Sequence, residues 1–159
     1  MTVTEPGEHA GVEADAAITR VPLAKLAVRT ADCVPLVLEG EDAIGVVHAG
    51  WRGLAAGIVQ TTIAALGPVR RVRIGPHIRV GCYEFGEGDL DEVAAALGDV
   101  VRGTTAWGAP ALDLTAGVRS VLGDLRVADA GACTACTDLY YSWRARKDTG
   151  RFATIAWMS

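Results

Sequence analysis

Residues 30–53 read TADCVPLVLEGEDAIGVVHAGWRG, and this stretch sets the architecture. Val34 to Leu38 and Ala43 to His48 are short, almost unbroken apolar runs separated by the polar turn Glu39-Gly40-Glu41-Asp42. Runs of that length, bounded by turn residues, predict two neighbouring strands buried on both faces. Cys33 then stands at the junction with an earlier strand, Lys25 to Thr30. His48 stands at the end of the second apolar strand, before the glycine-bounded turn Ala49 to Gly53. A helix is expected over Leu54 to Leu66, ended by Gly67-Pro68.

Working outward, the apolar pattern begins near Ala16 to Thr19, so residues 1–14, polar and rich in Gly and Glu, read as an exposed lead-in. Downstream, Arg71 to Ile74 reads as a strand before the turn Gly75-Pro76, and Leu90 to Leu97 as a short helix with an acidic start. Asp113 is a natural N-cap for a helix reaching Leu122. Leu125 to Ala128 and Thr154 to Trp157 read as late strands. No repeat or linker divides the chain, which predicts one domain, residues 1–159, of mixed strands and helices.

Half of the 159 residues are hydrophobic and 21% are charged, enough to build a buried core. A net charge of −4 and a pI near 5.3 give no basic field for a phosphate backbone, so nucleic acid is not an expected partner. No apolar run reaches the ~18 to 20 residues of a bilayer span, and MTVTEPGEHA lacks the parts of a signal peptide. The expectation is a cytoplasmic protein without a membrane partner, whose four cysteines are thiols.

Cys33 and His48 carry the chemistry. A thiolate and an imidazole delivered to the same end of adjacent strands can bind zinc together, or the imidazole can deprotonate the thiol for nucleophilic attack. The plainer alternative is a buried cysteine and a satisfied core histidine. Arg52, beside a helix start, adds positive potential for a phosphate or carboxylate. Arg144, Arg146, Lys147 and Arg151 follow Tyr140-Tyr141-Ser142-Trp143, a mixture able to stack on a base and hold phosphate, or simply a solvated loop.

Cys133-Thr134-Ala135-Cys136 is a single CxxC and reads as structural or incidental. It matches half of the zinc cytidine-deaminase signature, but Cys133 follows Ala132 where that signature has proline, and His9-Ala10-Gly11 lacks the glutamate. His77, in a Gly-Pro turn, reads as an exposed loop histidine. Walker A, GxGxxG, GxSxG and HExxH motifs are all missing.

Taken in order, TADCVPLVL, VVHAGWRGL, IGPHI with GCYEFG, ALDL, CTACTDLYYSWRARKDTGRF and ATIAW resemble the bacterial laccase-domain family. Its members carry the names multicopper polyphenol oxidase and purine nucleoside phosphorylase. The resemblance runs from about Glu13 to Trp157. It implies a layered α/β/β/α fold of the mixed α+β class, a zinc held by two histidines and one cysteine, and a homodimer. The activity implied is phosphorolysis of adenosine, inosine and methylthioadenosine, with adenosine deamination besides.

By motif, the cysteine ligand falls on Cys33 and the second histidine ligand on His48. The first histidine of the family lies in a Gln-Val-His-Gly motif upstream of the segment that resembles Thr4 to Arg20. His9 does not match it, so the N-terminal portion of the family fold is expected to be absent. Copper, the family's other metal, is a poor fit: a multicopper centre needs a blue site plus a histidine-rich three-copper cluster, beyond the reach of 3 histidines. Zinc needs only three or four ligands. Two further expectations stay open: a metal-free cysteine hydrolase or amidase using Cys33 and His48, and an inactive remnant.

Overall fold

The computed structural model describes residues 1–159. Strands β1 (Thr2–Val3), β2 (Ala16–Thr19), β3 (Leu26–Thr30), β4 (Val34–Gly40) and β5 (Ile44–Ala49) lead into helices α1 (Trp51–Ala55) and α2 (Ile58–Leu66). There follow β6 (Val69–Ile74), α3 (Glu87–Leu97), β7 (Arg102–Thr104), β8 (Pro110–Leu112), α4 (Leu114–Leu122) and β9 (Val127–Asp129). The one-turn helix α5 (Trp143–Arg146) and β10 (Phe152–Ala156) complete the order.

The main sheet has six strands in the order β1-β2-β5-β4-β6-β9. Its central pair, β4 and β5, is the pair of neighbouring strands expected from the opening stretch, and they pair antiparallel, with Leu36 opposite Val47 and Val37 opposite Val46. The runs are apolar without interruption because both faces are covered. Alternate residues serve different cores: Leu36, Leu38 and Val47 pack with Leu54, Val59 and Val118 from the helices. Val37, Ile44 and Val46 turn the other way, onto Leu26 and Val28.

Leu26 and Val28 belong to a two-stranded ribbon, β3 with β10, laid over the sheet's second face. The alternation of Leu-Ala-Val-Arg-Thr follows from that placement, with Leu26 and Val28 buried and Ala27 and Arg29 exposed. The layers therefore run helices, six-stranded sheet, ribbon. The outer face of the ribbon, Ala27, Arg29, Ala153 and Ile155, lies open to solvent. The class is mixed α+β. No helix is long and apolar enough to cross a membrane.

Three local expectations change. The helix expected over Leu54 to Leu66 begins at Trp51 and is two helices, broken where Gly57 adopts φ 81°, a left-handed conformation that costs glycine nothing. The lead-in is exposed, save that His9 is half-buried and Thr2–Val3 pairs in parallel with Ile18 and Thr19 at the edge of the sheet, which buries Val3. Helix α3 starts at Glu87, three residues earlier than its apolar positions indicate, with Glu87 and Asp89 in the first turn.

The Asp113 cap is formed as the sequence predicts: its side chain accepts from the Ala116 N–H at 2.9 Å. Asp113→Ala is expected to cost about 1 kcal/mol in urea unfolding, with an unchanged m-value.

Candidate functional site

Cys33 sits one residue before β4, and His48 lies in β5 opposite Pro35. The hairpin register thus brings the two side chains to the same end of neighbouring strands. Gly50 sits between them: a Cβ placed there would lie 3.2 Å from the Cys33 Sγ and 3.9 Å from the His48 Nε2. Glycine leaves open the space on which both groups converge.

A third group, unread in the sequence, orients the imidazole. Asp15, just before β2, accepts a hydrogen bond from the His48 backbone N–H at 2.7 Å, and its carboxylate meets the His48 Nδ1 at 2.8 Å. This carboxylate fixes Nδ1 as the protonated nitrogen and leaves Nε2 facing the thiol. Contact with the Cys33 side chain, reinforced by Asp15 and opposed by burial, pushes the His48 pKa up to about 9.

Asp32 holds Cys33 in place from the other side. It is a non-glycine residue at φ 90°, with its side chain turned inward. Its carboxylate accepts from Thr134 Oγ1 at 2.7 Å, Ser142 Oγ at 2.7 Å and the Arg144 backbone N–H at 2.6 Å. One buried carboxylate therefore ties the β3–β4 turn to α5 and to the segment before it.

Arg52 and Arg144 flank an aromatic row. Arg52 covers the ring of Trp51 at 4.1 Å, Trp51 meets Phe85 edge-on at 5.5 Å, and Phe85 meets Tyr83 at 5.2 Å. Arg144 then lies over Tyr83 at 4.8 Å. Both arginines are exposed at the two ends of this row. The cations that share a cleft with His48 are different ones, Lys25, Arg29 and Arg151. That cleft, about 760 Å³, runs between residues 7–17 and β3.

His77 is fully buried, against the expectation of an exposed loop. Its Nδ1 lies 2.9 Å from the Gly75 carbonyl and its Nε2 2.9 Å from Thr115 Oγ1. Arg79 donates to the same hydroxyl at 3.1 Å, so the hydroxyl's own proton goes to Nε2 and the ring is held neutral. Burial lowers its pKa in keeping with that.

Arg79 also forms a two-pronged ion pair with Asp129, one arm at 3.0 Å, and this holds the Asp129 pKa down to about 2. A carboxyl depressed from an ordinary 3.8 contributes stability above pH 3.8 that is lost as pH falls toward 2. Acid titration of the urea midpoint is expected to show this fall, and Asp129→Asn to flatten it.

The CxxC is not isolated in space. Cys82, from the turn after His77, joins Cys133 and Cys136, with all three sulfurs within 4.8 Å of one another. The Cys82 and Cys136 sulfurs are 3.1 Å apart. Sequence reasoning missed this grouping because 51 residues separate Cys82 from Cys133. Cys82 is brought to the CxxC by the single His77–Cys133 bridge, a long-range contact that no local pattern announces.

For the zinc implied by resemblance, Cys33 and His48 supply two converging donors of suitable chemistry. Asp15 meets the ring at Nδ1, and no third His, Cys, Asp or Glu brings a donor atom into one group with both Cys33 Sγ and His48. The pair thus fits part of a zinc coordination shell.

Fold and pair together define a mixed α+β protein with a carboxylate-oriented imidazole beside a thiol, at the ends of two central strands. The chain belongs to the multi-copper polyphenol oxidoreductase laccase family, whose sequence model matches residues 1–159. It is 38% identical over 164 residues to a purine nucleoside phosphorylase of Streptomyces coelicolor, covering 96% of this chain and 67% of that protein. It is 40% identical over 158 residues to a purine nucleoside phosphorylase of Streptomyces griseus, covering 91% and 63%.

Among solved structures, a Neisseria meningitidis protein of the DUF152 family superposes with a TM-score of 0.82 at 30% identity, covering 92% of this chain and 65% of that one. YlmD from Geobacillus stearothermophilus superposes at 0.77 and 28% identity, covering 91% and 61%. The chain spans about two thirds of the length of these relatives.

Proposed function

We propose that this chain carries the core of a purine nucleoside phosphorylase site centred on Cys33 and His48. The observation that carries the reading is the convergence of Cys33 Sγ and His48 Nε2 on the space above Gly50, with Asp15 fixing the ring. The names of its curated relatives agree with that reading.

In phosphorolysis a phosphate oxygen bonds to C1′ of the nucleoside as the bond from C1′ to the purine nitrogen breaks. The products are ribose 1-phosphate and the free base, which takes up a proton. His48, held by Asp15, is placed to carry a proton at Nε2, toward the departing base or from the phosphate. Lys25, Arg29 and Arg151 line the cleft beside it and suit the anion; Arg52 and Arg144, the arginines favoured by the sequence, border the aromatic row instead. Adenosine, inosine and methylthioadenosine are the substrate set, and a bound zinc would supply an activated water for adenosine deamination.

Purified, zinc-supplied protein incubated with inosine and phosphate is expected to release hypoxanthine in a phosphate-dependent manner. Folded protein that releases none overturns the reading. A second reading rests on the line Asp15–His48–Cys33, which has the order of a carboxylate–imidazole–thiol hydrolase. It requires Cys33 to react with iodoacetamide ahead of the other thiols whether or not zinc is added. Protection of Cys33 by zinc favours the phosphorylase reading.

A further inference from the structure

The groups the Cys33–His48 pair leaves unused include a built set of sulfur donors. Cys82 and Cys136 arrive on two short turns, Val80–Cys82 and Thr134–Cys136, and Cys133 immediately precedes the second. Neither Cys33 nor His48 belongs to this set. A stable disulfide would need two of these thiols and leave the third without a role.

The main chain holds the two turns together. Thr134 N–H donates to the His77 carbonyl at 3.1 Å, and His77 N–H to the Ala132 carbonyl at 3.3 Å. His77 and Cys133 form a parallel bridge, and buried His77 anchors it through Gly75 and Thr115. The donors are thus fixed by backbone and not by mobile side chains alone. Around an ion with metal–sulfur bonds of ~2.3 Å, ligand sulfurs stand about 3.8 Å apart. The three sulfurs, all within 4.8 Å, need side-chain adjustments of about an ångström to reach that spacing.

Cys133 also receives a main-chain donor. The Arg79 backbone N–H points at its sulfur at 3.4 Å. Amide hydrogens aimed at a sulfur stabilise a thiolate, the form in which cysteine binds metal. Cys82 lies on the wall of a cavity of about 540 Å³ shared with Glu84, Trp107 and Arg144, so the side away from the two turns stays open.

We propose that Cys82, Cys133 and Cys136 form a second metal site, a three-thiolate cradle for a thiophilic closed-shell cation, Zn²⁺ or Cu⁺, with one coordination position facing the neighbouring cavity. All-sulfur donors select these ions over Mg²⁺ or Ca²⁺. Zn²⁺ takes a water or other small ligand at the fourth position, whereas Cu⁺ is satisfied by the three sulfurs.

The test uses the whole chain, reduced and stripped with a chelator, carrying Cys33→Ser and His48→Ala to silence the other pair. Native mass spectrometry and competition with chromophoric chelators follow separate additions of Zn²⁺ and Cu⁺. One equivalent of ion is expected in this background, with alkylation of Cys136 by iodoacetamide slowed at least about tenfold. The preferred ion identifies the coordination. Adding Cys136→Ser, at an exposed position that leaves the fold intact by circular dichroism, is expected to abolish binding, and Cys82→Ser to do the same. Three results overturn the site: no ion bound in the double variant, an ion that survives Cys136→Ser, or a Cys82–Cys136 disulfide that forms in place of ion binding while ion is present.

Discussion

Asp32→Ala is expected to lower the free energy of unfolding by about 3 kcal/mol, the largest stability loss predicted for a single polar side chain here. The carboxylate takes three hydrogen bonds, and two of its donors, the hydroxyls of Thr134 and Ser142, belong to fully buried residues. Removing the acceptor leaves these groups without their partner inside the protein, which costs more than the bonds themselves contribute. Alanine also tolerates φ 90° less well than aspartate. Asp32→Asn separates the two effects. It keeps an oxygen for Thr134 and Ser142, which share Oδ1, but turns an amide against the Arg144 N–H, so an intermediate loss is expected. Urea unfolding measures both, and a loss below about 1 kcal/mol for Asp32→Ala would show that the carboxylate is not the fastener of α5.

The parts of the site legible in the sequence are those fixed by local chain geometry. Cys33 and His48 could be placed on adjacent strands because a four-residue turn joins their two apolar runs, and such runs pair as hairpins. Asp113 was readable as a cap because its partner is three residues away. Asp15, by contrast, lies 33 residues before His48 in a polar segment without periodicity, so nothing local marks it as the group that orients the ring. Asp32 stands beside Cys33, yet its partners are over 100 residues distant. The burial of His77 follows from packing of its turn against the Cys133 segment, which no short-range pattern encodes. The ribbon shows the same division. Its alternation identifies β3 as a strand, but only pairing with β10 assigns it to the second layer.

On the proposed phosphorylase reading, Gly50→Val is expected to reduce inosine phosphorolysis by roughly 100-fold or more while leaving the fold almost unchanged. Backbone strain does not confound the experiment, since Gly50 has φ −74° and ψ 164°, extended values open to any residue. Gly50 precedes α1 without a side-chain cap, so the stability cost of replacing it should stay under about 1 kcal/mol. The penalty falls on the site. A Cβ alone approaches the Cys33 Sγ to 3.2 Å and the His48 Nε2 to 3.9 Å, and the two methyl groups of valine extend further into the space these atoms share. Alanine, with one carbon, should show a smaller loss, giving a graded series in which activity follows side-chain size while thermal midpoints stay level. If the Gly50→Val protein turns over inosine at the wild-type rate, neither substrate nor an ion occupies the point where thiol and imidazole converge. The proton-carrying role of His48 would fail with it.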